Sequence, residues 1–195
     1  TRCDAFVLGP AYGLGQGVRR AVKAVAALRK PLVLDADALT GFADAPEDLF
    51  AVLHEHCVLT PHEGEFARLF GEIAKRQDSK LTKARAAAAR AGCVVLLKGP
   101  DTVIAAPDGR AAVNTHSTPH LATAGAGDVL AGVIAGLGAQ GMTIWDAACA
   151  AAWLHGEAGR GLGPGLIAED LCEALPSALR ALQIRESGEF QPAAP

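Results

Sequence analysis

Apolar residues fall into two alternating patterns along the chain. Short runs without polar interruption, each closed by Gly, Pro, Asp or Lys, are separated by longer Ala-rich stretches whose apolar positions recur three and four apart. The short runs predict strands at Phe6-Val7-Leu8, Leu32-Val33-Leu34, Val58-Leu59 and Val94-Val95-Leu96-Leu97. They are apolar throughout, as strands covered on both faces must be. Between them the spacing predicts helices over residues 18–29, 48–54, 63–70 and 79–91, the last with Ser79 as its N-cap and Gly92 closing it. Residues 102–106 and 111–114 flank Pro107-Asp108-Gly109-Arg110, and the Asp-Gly pair predicts a tight antiparallel hairpin, either an insertion or a sheet edge. After Asp128 the pattern becomes helical, over 129–140, 144–160 and 168–182. The alternation of short strands with helices predicts an α/β fold with a mostly parallel central sheet flanked by helices.

Composition bounds what such a fold does. Half of the 195 residues are hydrophobic, enough for a domain with its own core, which excludes a small stapled peptide. The net charge is −3 and the basic residues are scattered, so the chain lacks the electrostatic footprint of a nucleic-acid binder. Polar small molecules are the expected partners. Five widely spaced cysteines (Cys3, Cys57, Cys93, Cys149, Cys172) contain no CxxC pair and fit neither a disulfide framework nor a zinc site, which points to a reducing, cytoplasmic compartment. The apolar run of residues 129–139 falls short of the roughly 18 needed to cross a bilayer, so no membrane role is expected. Thr1 stands just ahead of the first apolar run, which reads as a piece of something longer, and residues 186–195 read as a flexible tail.

In an open parallel sheet, ligands bind beyond the carboxyl ends of the strands. The glycines of residues 9–17 either let backbone approach a ligand or make a turn into the next helix. Asp35 and Asp37 either hold a ligand hydroxyl or cap a turn, with Asp37 leaning to the structural reading. His62 and Glu65, three apart, share one helix face. Lys98 to Thr102 brings a cation, a glycine and a hydroxyl to the end of the fourth strand. The most informative stretch is Thr123-Ala124-Gly125-Ala126-Gly127-Asp128, whose glycines expose backbone N–H groups at a helix N-terminus, where an anion is favoured. Asp128 there is either a helix cap or a base beside an anion hole, and the second reading is preferred. Gly132 and Gly136 form a GxxxG pattern, expected to let this helix pack closely on the sheet.

GAGD opening a small-residue helix, with a lysine-glycine turn and a TPHxGE segment before it, resembles the ribokinase-like fold. Within it, the ordered set GPxxGLG, LDADAL, LTPHEGEF, LLKGPDTVIAAPDG and LATAGAGDVLAGVIAGLGAQGM, from about Phe6 to about Leu175, resembles the NAD(P)H-hydrate dehydratases. That resemblance implies nucleotide-dependent dehydration of hydrated NADH or NADPH, with ADP or ATP as phosphoryl donor and Mg2+. It implies that Lys98, Gly99, Pro100, Asp101, Thr102, Gly125, Ala126 and Gly127 contact the nucleotide. It assigns Gly13, His62 and Asp128 to the substrate, Asp128 also as catalytic base, and Glu65 to an indirect role with Mg2+. It further implies early strands upstream that have no counterpart here, so residues 1–185 are expected to be the C-terminal part of one domain. An epimerase domain on the full-length chain and self-association through the sheet edge are expected as partners. The segment from Asn114 to His120 departs from the family pattern and is given no role beyond a loop. Two alternatives accompany this reading: a small-molecule kinase of the same superfamily, acting on a hydroxymethyl pyrimidine or thiazole alcohol, and a non-catalytic nucleotide-binding remnant. The histidine at position 62, where related kinases carry asparagine, argues against the first.

Overall fold

The computed structural model describes residues 3–186, so the tail expected at 186–195 lies, beyond Glu186, outside the described residues. Six strands form one sheet in the order β1 (Phe6–Leu8), β2 (Leu32–Leu34), β3 (Cys57–Leu59), β4 (Val94–Leu97), β5 (Thr102–Ala105) and β6 (Ala111–Asn114). The first four are parallel, whereas β5 and β6 turn back antiparallel. The expected hairpin is thus the sheet's far edge rather than an insertion. Gly109 sits at φ +92° in its turn, a conformation glycine adopts without strain.

This order determines which face each helix covers. A parallel crossover is right-handed, so a chain that steps the same way at every crossover deposits its helices on one face. That face carries α1 (Gln16–Ala26), α2 (Asp37–Thr40), α3 (Pro46–Phe50), α4 (Glu63–Leu69), α5 (Gly71–Ala74) and α6 (Lys80–Ala91). They pack on Leu32, Leu34, Cys57, Leu59, Val95 and Leu97. The intervening residues, Val33, Val58, Val94, Leu96 and Ile104, point the other way and are covered by α7 (Ala126–Ala139) and α8 (Ile144–Leu162). The last helix, α9 (Ala168–Glu186), joins α7 and α8 in a smaller cluster around Ala126, Ala158, Leu166 and Leu171.

Local signals behave as their chemistry dictates. Ser79 Oγ accepts from Thr82 N–H at the start of α6, and Gly92 ends that helix at φ +66°. The third helix begins earlier than its expected 48–54, because Pro46 has its φ preset for a helical first turn. The GxxxG expectation is corrected: a Cβ on Gly132 or Gly136 meets nothing within 4 Å, and the buried stripe of α7 is Leu130, Ala131, Ile134, Ala135 and Gly138. Close approach occurs instead at Gly138, where a Cβ would stand 3.1 Å from Pro31 Cβ.

Candidate functional site

The strand ladder continues past the carboxyl ends of β1 to β4. Asp35 N–H donates to Leu8 C=O, Thr60 N–H to Leu34 C=O, and Lys98 N–H to Pro61 C=O, at 2.9 to 3.1 Å. Gly9, Asp35, Thr60, Pro61 and Lys98 therefore form one row along the sheet's end. The row is tight, since a Cβ on Gly9 (φ +128°) would fall 1.7 Å from Asp35 O. Only glycine fits there. Lys98 Nζ lies 2.8 Å from Asp35 Oδ1, with the carboxylate side chain 2% exposed and the lysine 20%. Asp35, which sequence reasoning left between two roles, is thus the counter-ion of Lys98.

The N-terminus of α7 stands directly over this pair. Gly125 is its N-cap at φ +82°, and a Cβ on Gly127 would lie 3.3 Å from Lys98 Nζ and 3.8 Å from Asp35 Oδ2. No side chain caps the helix; Ala126 N–H and Asp128 N–H turn to the Thr123 and Gly125 carbonyls, and the helix dipole favours an anion at this end. Asp128, in the first turn, is exposed. Beside this terminus is a cavity of about 450 Å3. Of the residues the resemblance assigns to a nucleotide, Lys98, Gly99, Pro100, Thr102, Ala126 and Gly127 line it. Asp101 and Gly125 do not. Asp101 is held by Lys80 at 3.1 Å, and that bond keeps its carboxyl below the usual carboxylate range. Lys80 also donates to Lys98 C=O, and Thr102 Oγ1 to Gly99 C=O, which closes the β4–β5 turn.

Most of the far wall comes from the segment whose histidines were given no role beyond a loop, joined by Leu121 and Ala122 of the LATAGAGD motif. Thr115, Ser117, Thr118, Pro119, Leu121 and Ala122 line the cavity, backed by α8. Two glycines on α8 make room for them: a Cβ on Gly156 would fall 1.7 Å from His116 O, and one on Gly159 2.7 Å from Leu121 Cδ2. His116 is clamped as well, pairing with Glu157 and stacking on Trp153 at 5.0 Å between ring centroids. His155, also on α8, completes the wall. It is 8% exposed and its Nε2 has no hydrogen-bond partner among the described residues, while burial holds its pKa below the ordinary 6.5. No local signal marked these residues.

His62 and Glu65 meet, but in a specific local arrangement. His62 is the N-cap of α4: its Nδ1 accepts from Gly64 N–H at 2.9 Å and Glu65 N–H at 3.3 Å. Glu65 Oε2 in turn accepts from His62 N–H at 2.8 Å, a capping box with histidine in the usual Ser/Thr place. Glu65 is buried by this commitment, and its Oε1 lies 3.5 Å from His62 Nε2, while the His62 side chain as a whole is 53% exposed. Gly13 lies in an exposed loop at φ +89°, and its N–H donates to Asp37 Oδ2 at 2.8 Å, so Asp37 braces that loop instead of capping the turn that follows it. Among the described residues no three His, Cys, Asp or Glu side chains are grouped to hold a metal ion, and no helix is long and apolar enough to cross a membrane.

Comparison with known proteins matches this arrangement to one family. The family model described as NAD(P)H-hydrate dehydratase matches residues 1–176. The ADP-dependent (S)-NAD(P)H-hydrate dehydratase of Neisseria meningitidis serogroup B is 42% identical over 184 residues, covering 88% of this chain and 61% of that protein. The bifunctional NAD(P)H-hydrate repair enzyme of Escherichia coli is 36% identical over 178 residues, covering 88% of this chain and 34% of the enzyme. Among solved structures, the ADP/ATP-dependent NAD(P)H-hydrate dehydratase of Bacillus subtilis, co-crystallized with ATP and Mg2+, superposes with a TM-score of 0.78 at 30% identity, covering 91% of this chain and 64% of that one. Hydroxyethylthiazole kinase from Pyrococcus horikoshii shares the fold, with a TM-score of 0.71 at 22% identity over 89% of this chain and 71% of the kinase. The chain spans about a third to two thirds of the length of these dehydratase and repair-enzyme relatives. With its motifs in order and its ribokinase-like sheet in place, the chain belongs to the NAD(P)H-hydrate dehydratase family.

Proposed function

We propose that residues 1–185 form the C-terminal part of a domain that dehydrates (6S)-hydrated NADH or NADPH back to the normal cofactor, with ADP as phosphoryl donor. One juxtaposition carries this reading: the uncapped N-terminus of α7, with Gly127 over Lys98 and Asp128 exposed beside it, borders the 450 Å3 cavity. The cavity suits a nucleotide, since it joins an anion-favouring end to walls built from Pro100, Pro119, Leu121 and Leu130. Mg2+ would be held by the nucleotide's phosphates and water, with Glu65 in the indirect role that the resemblance implies, and would neutralise phosphate charge.

Asp128 accepts the proton of the substrate's ring hydroxyl as that oxygen bonds to the terminal phosphorus and the bond from phosphorus to the bridging oxygen of ADP breaks, releasing AMP. Amide N–H groups of the turn at Gly125 to Gly127 stabilise the charge on the transferring phosphoryl group. The oxygen then departs as phosphate, driven by the ring nitrogen's lone pair, and loss of a neighbouring ring proton restores the dihydronicotinamide double bond. His62, through its half-exposed ring, and Gly13 contact the hydrated nicotinamide nucleotide. An epimerase domain on the full-length chain, self-association and a cytoplasmic setting belong to the same reading; the E. coli relative is itself named a bifunctional repair enzyme.

The test is absorbance at the reduced-nicotinamide band with hydrated NADH, Mg2+ and ADP or ATP. Recovery with ADP, lost by about two orders of magnitude or more in Asp128→Asn, is expected. A stable phosphoester without recovery makes the protein a kinase. Nucleotide binding without turnover makes it a binding module.

A further inference from the structure

The polar side chains that line the cavity beside α7 divide into those the fold has already engaged and those it has not. Lys98 holds Asp35, Thr102 Oγ1 is tied to Gly99 across the β4–β5 turn, and Thr118 Oγ1 accepts from His120 N–H. His155 Nε2 is sealed from the cavity. The hydroxyls of Thr115 and Ser117 have no hydrogen-bond partner among the described residues, and neither is sealed: Thr115 is exposed, and the half-buried Ser117 keeps its oxygen accessible. The two flank His116, which is not part of the cavity lining and turns to α8, pairing with Glu157 and stacking on Trp153. Asn114 Nδ2 donates to Ala152 C=O at 2.9 Å and its Oδ1 accepts from His116 N–H at 3.3 Å, so the stretch is strapped to α8 from behind. A wall held in this way presents its hydroxyls without a loop to order first. What they take follows from their chemistry. A hydroxyl donates one hydrogen bond, accepts others and carries no charge, so its match is a neutral group that also does both. Phosphate has its place at the end of α7 by Gly127 and Lys98, and the flat faces of a base suit Pro119, Leu121 and Leu130. The ribose of a nucleotide remains, with two adjacent hydroxyls.

We infer that Thr115 and Ser117 read the 2′ and 3′ hydroxyls of the bound nucleotide's ribose. The inference rests on the nucleotide assignment made under Proposed function and adds two specificity residues to it. Calorimetric titration of the full chain with ADP, 2′,3′-dideoxy-ADP and inorganic pyrophosphate tests it, using wild type, Thr115→Val, Ser117→Ala and the double variant. Each single variant is expected to lose about three- to tenfold in ADP affinity, the value of one neutral hydrogen bond, and to bind dideoxy-ADP and pyrophosphate as wild type does. The double variant binds ADP and dideoxy-ADP alike, as a cycle in which the same bonds are removed from either side requires. Melting temperatures stay at the wild-type value, because neither hydroxyl has an internal partner to lose. A double variant that prefers ADP over dideoxy-ADP as strongly as wild type overturns the inference alone. An equal loss of ADP and dideoxy-ADP does so too, and moves the two hydroxyls to the base. A wild-type protein that binds neither ADP nor pyrophosphate overturns the nucleotide assignment, and this inference with it.

Discussion

Lys98 Nζ and Asp35 Oδ1, 63 residues apart in the chain, meet at 2.8 Å where the carboxyl ends of β4 and β2 lie in one row. The carboxylate is sealed from solvent, while the ammonium is 20% exposed at the cavity wall, so Lys98 neutralises a charge that water does not reach. Removing one member strands the other. Lys98→Met is expected to lower unfolding free energy in urea by about 3 kcal/mol, the cost of an unpaired buried charge, and the double variant Asp35→Asn/Lys98→Met to recover part of it. Losses that simply add contradict a coupled pair.

His62 serves two ends of its ring. Nδ1 caps α4, and Nε2 faces Glu65 Oε1 at 3.5 Å on a side chain that is 53% exposed. Asparagine caps a helix as well as any residue, so His62→Asn should keep the melting temperature within a degree or two while raising KM for the hydrated cofactor. His62→Ala loses the cap too, at about 1 kcal/mol in stability. An unchanged KM in His62→Asn removes the substrate role and leaves the cap.

Gly156 is where α8 admits the loop that walls the cavity. A methyl group there collides with the His116 carbonyl, a backbone atom that cannot swing aside. Gly156→Ala should displace residues 115–122, destabilise the fold by about 1–3 kcal/mol as overpacking does, and weaken nucleotide binding in calorimetry. Gly132→Ala, on the same side of the sheet but facing open space, should do neither.

Stability should depend on pH through two buried histidines. Burial lowers the pKa of His155 and of His54 below 6.5, so below that pH the unfolded chain takes up protons that the folded one refuses. Their contribution is complete above pH 6.5 and is lost as pH falls towards the folded-state values. Urea midpoints measured from pH 7.5 down to about 5, before carboxylates begin to titrate, should fall. The slope should be shallower in His155→Leu. A flat profile over that window removes the histidines from the balance.

What the sequence made legible was local. Ser79 and Gly92 announced both ends of α6, and the Asp108-Gly109 turn announced the β5–β6 pair, because cap and turn chemistry act over a few residues. The anion-favouring turn at Gly125 to Asp128 was legible for the same reason. The pairing of His62 with Glu65 was visible as a spacing, yet its form, a capping box, depends on the extended backbone of His62. The cavity's far wall left no trace. Thr115 to Ala122 become a wall only because Gly156 and Gly159 let them settle on α8, a contact made across some forty residues. His155 reads like any histidine in an alanine-rich helix until the burial around it is known.

The stepwise order of the strands reaches beyond the site. Because all helices before β4 fall on one face, the opposite face of the sheet, with Val33, Val58, Leu96 and Ile104, is covered among the described residues by α7 and α8, which follow all six strands. During synthesis that apolar surface emerges from the ribosome complete on one side and bare on the other. Until residues 126–162 follow, the nascent chain is a half-clad sheet, the kind of species that aggregates or engages chaperones.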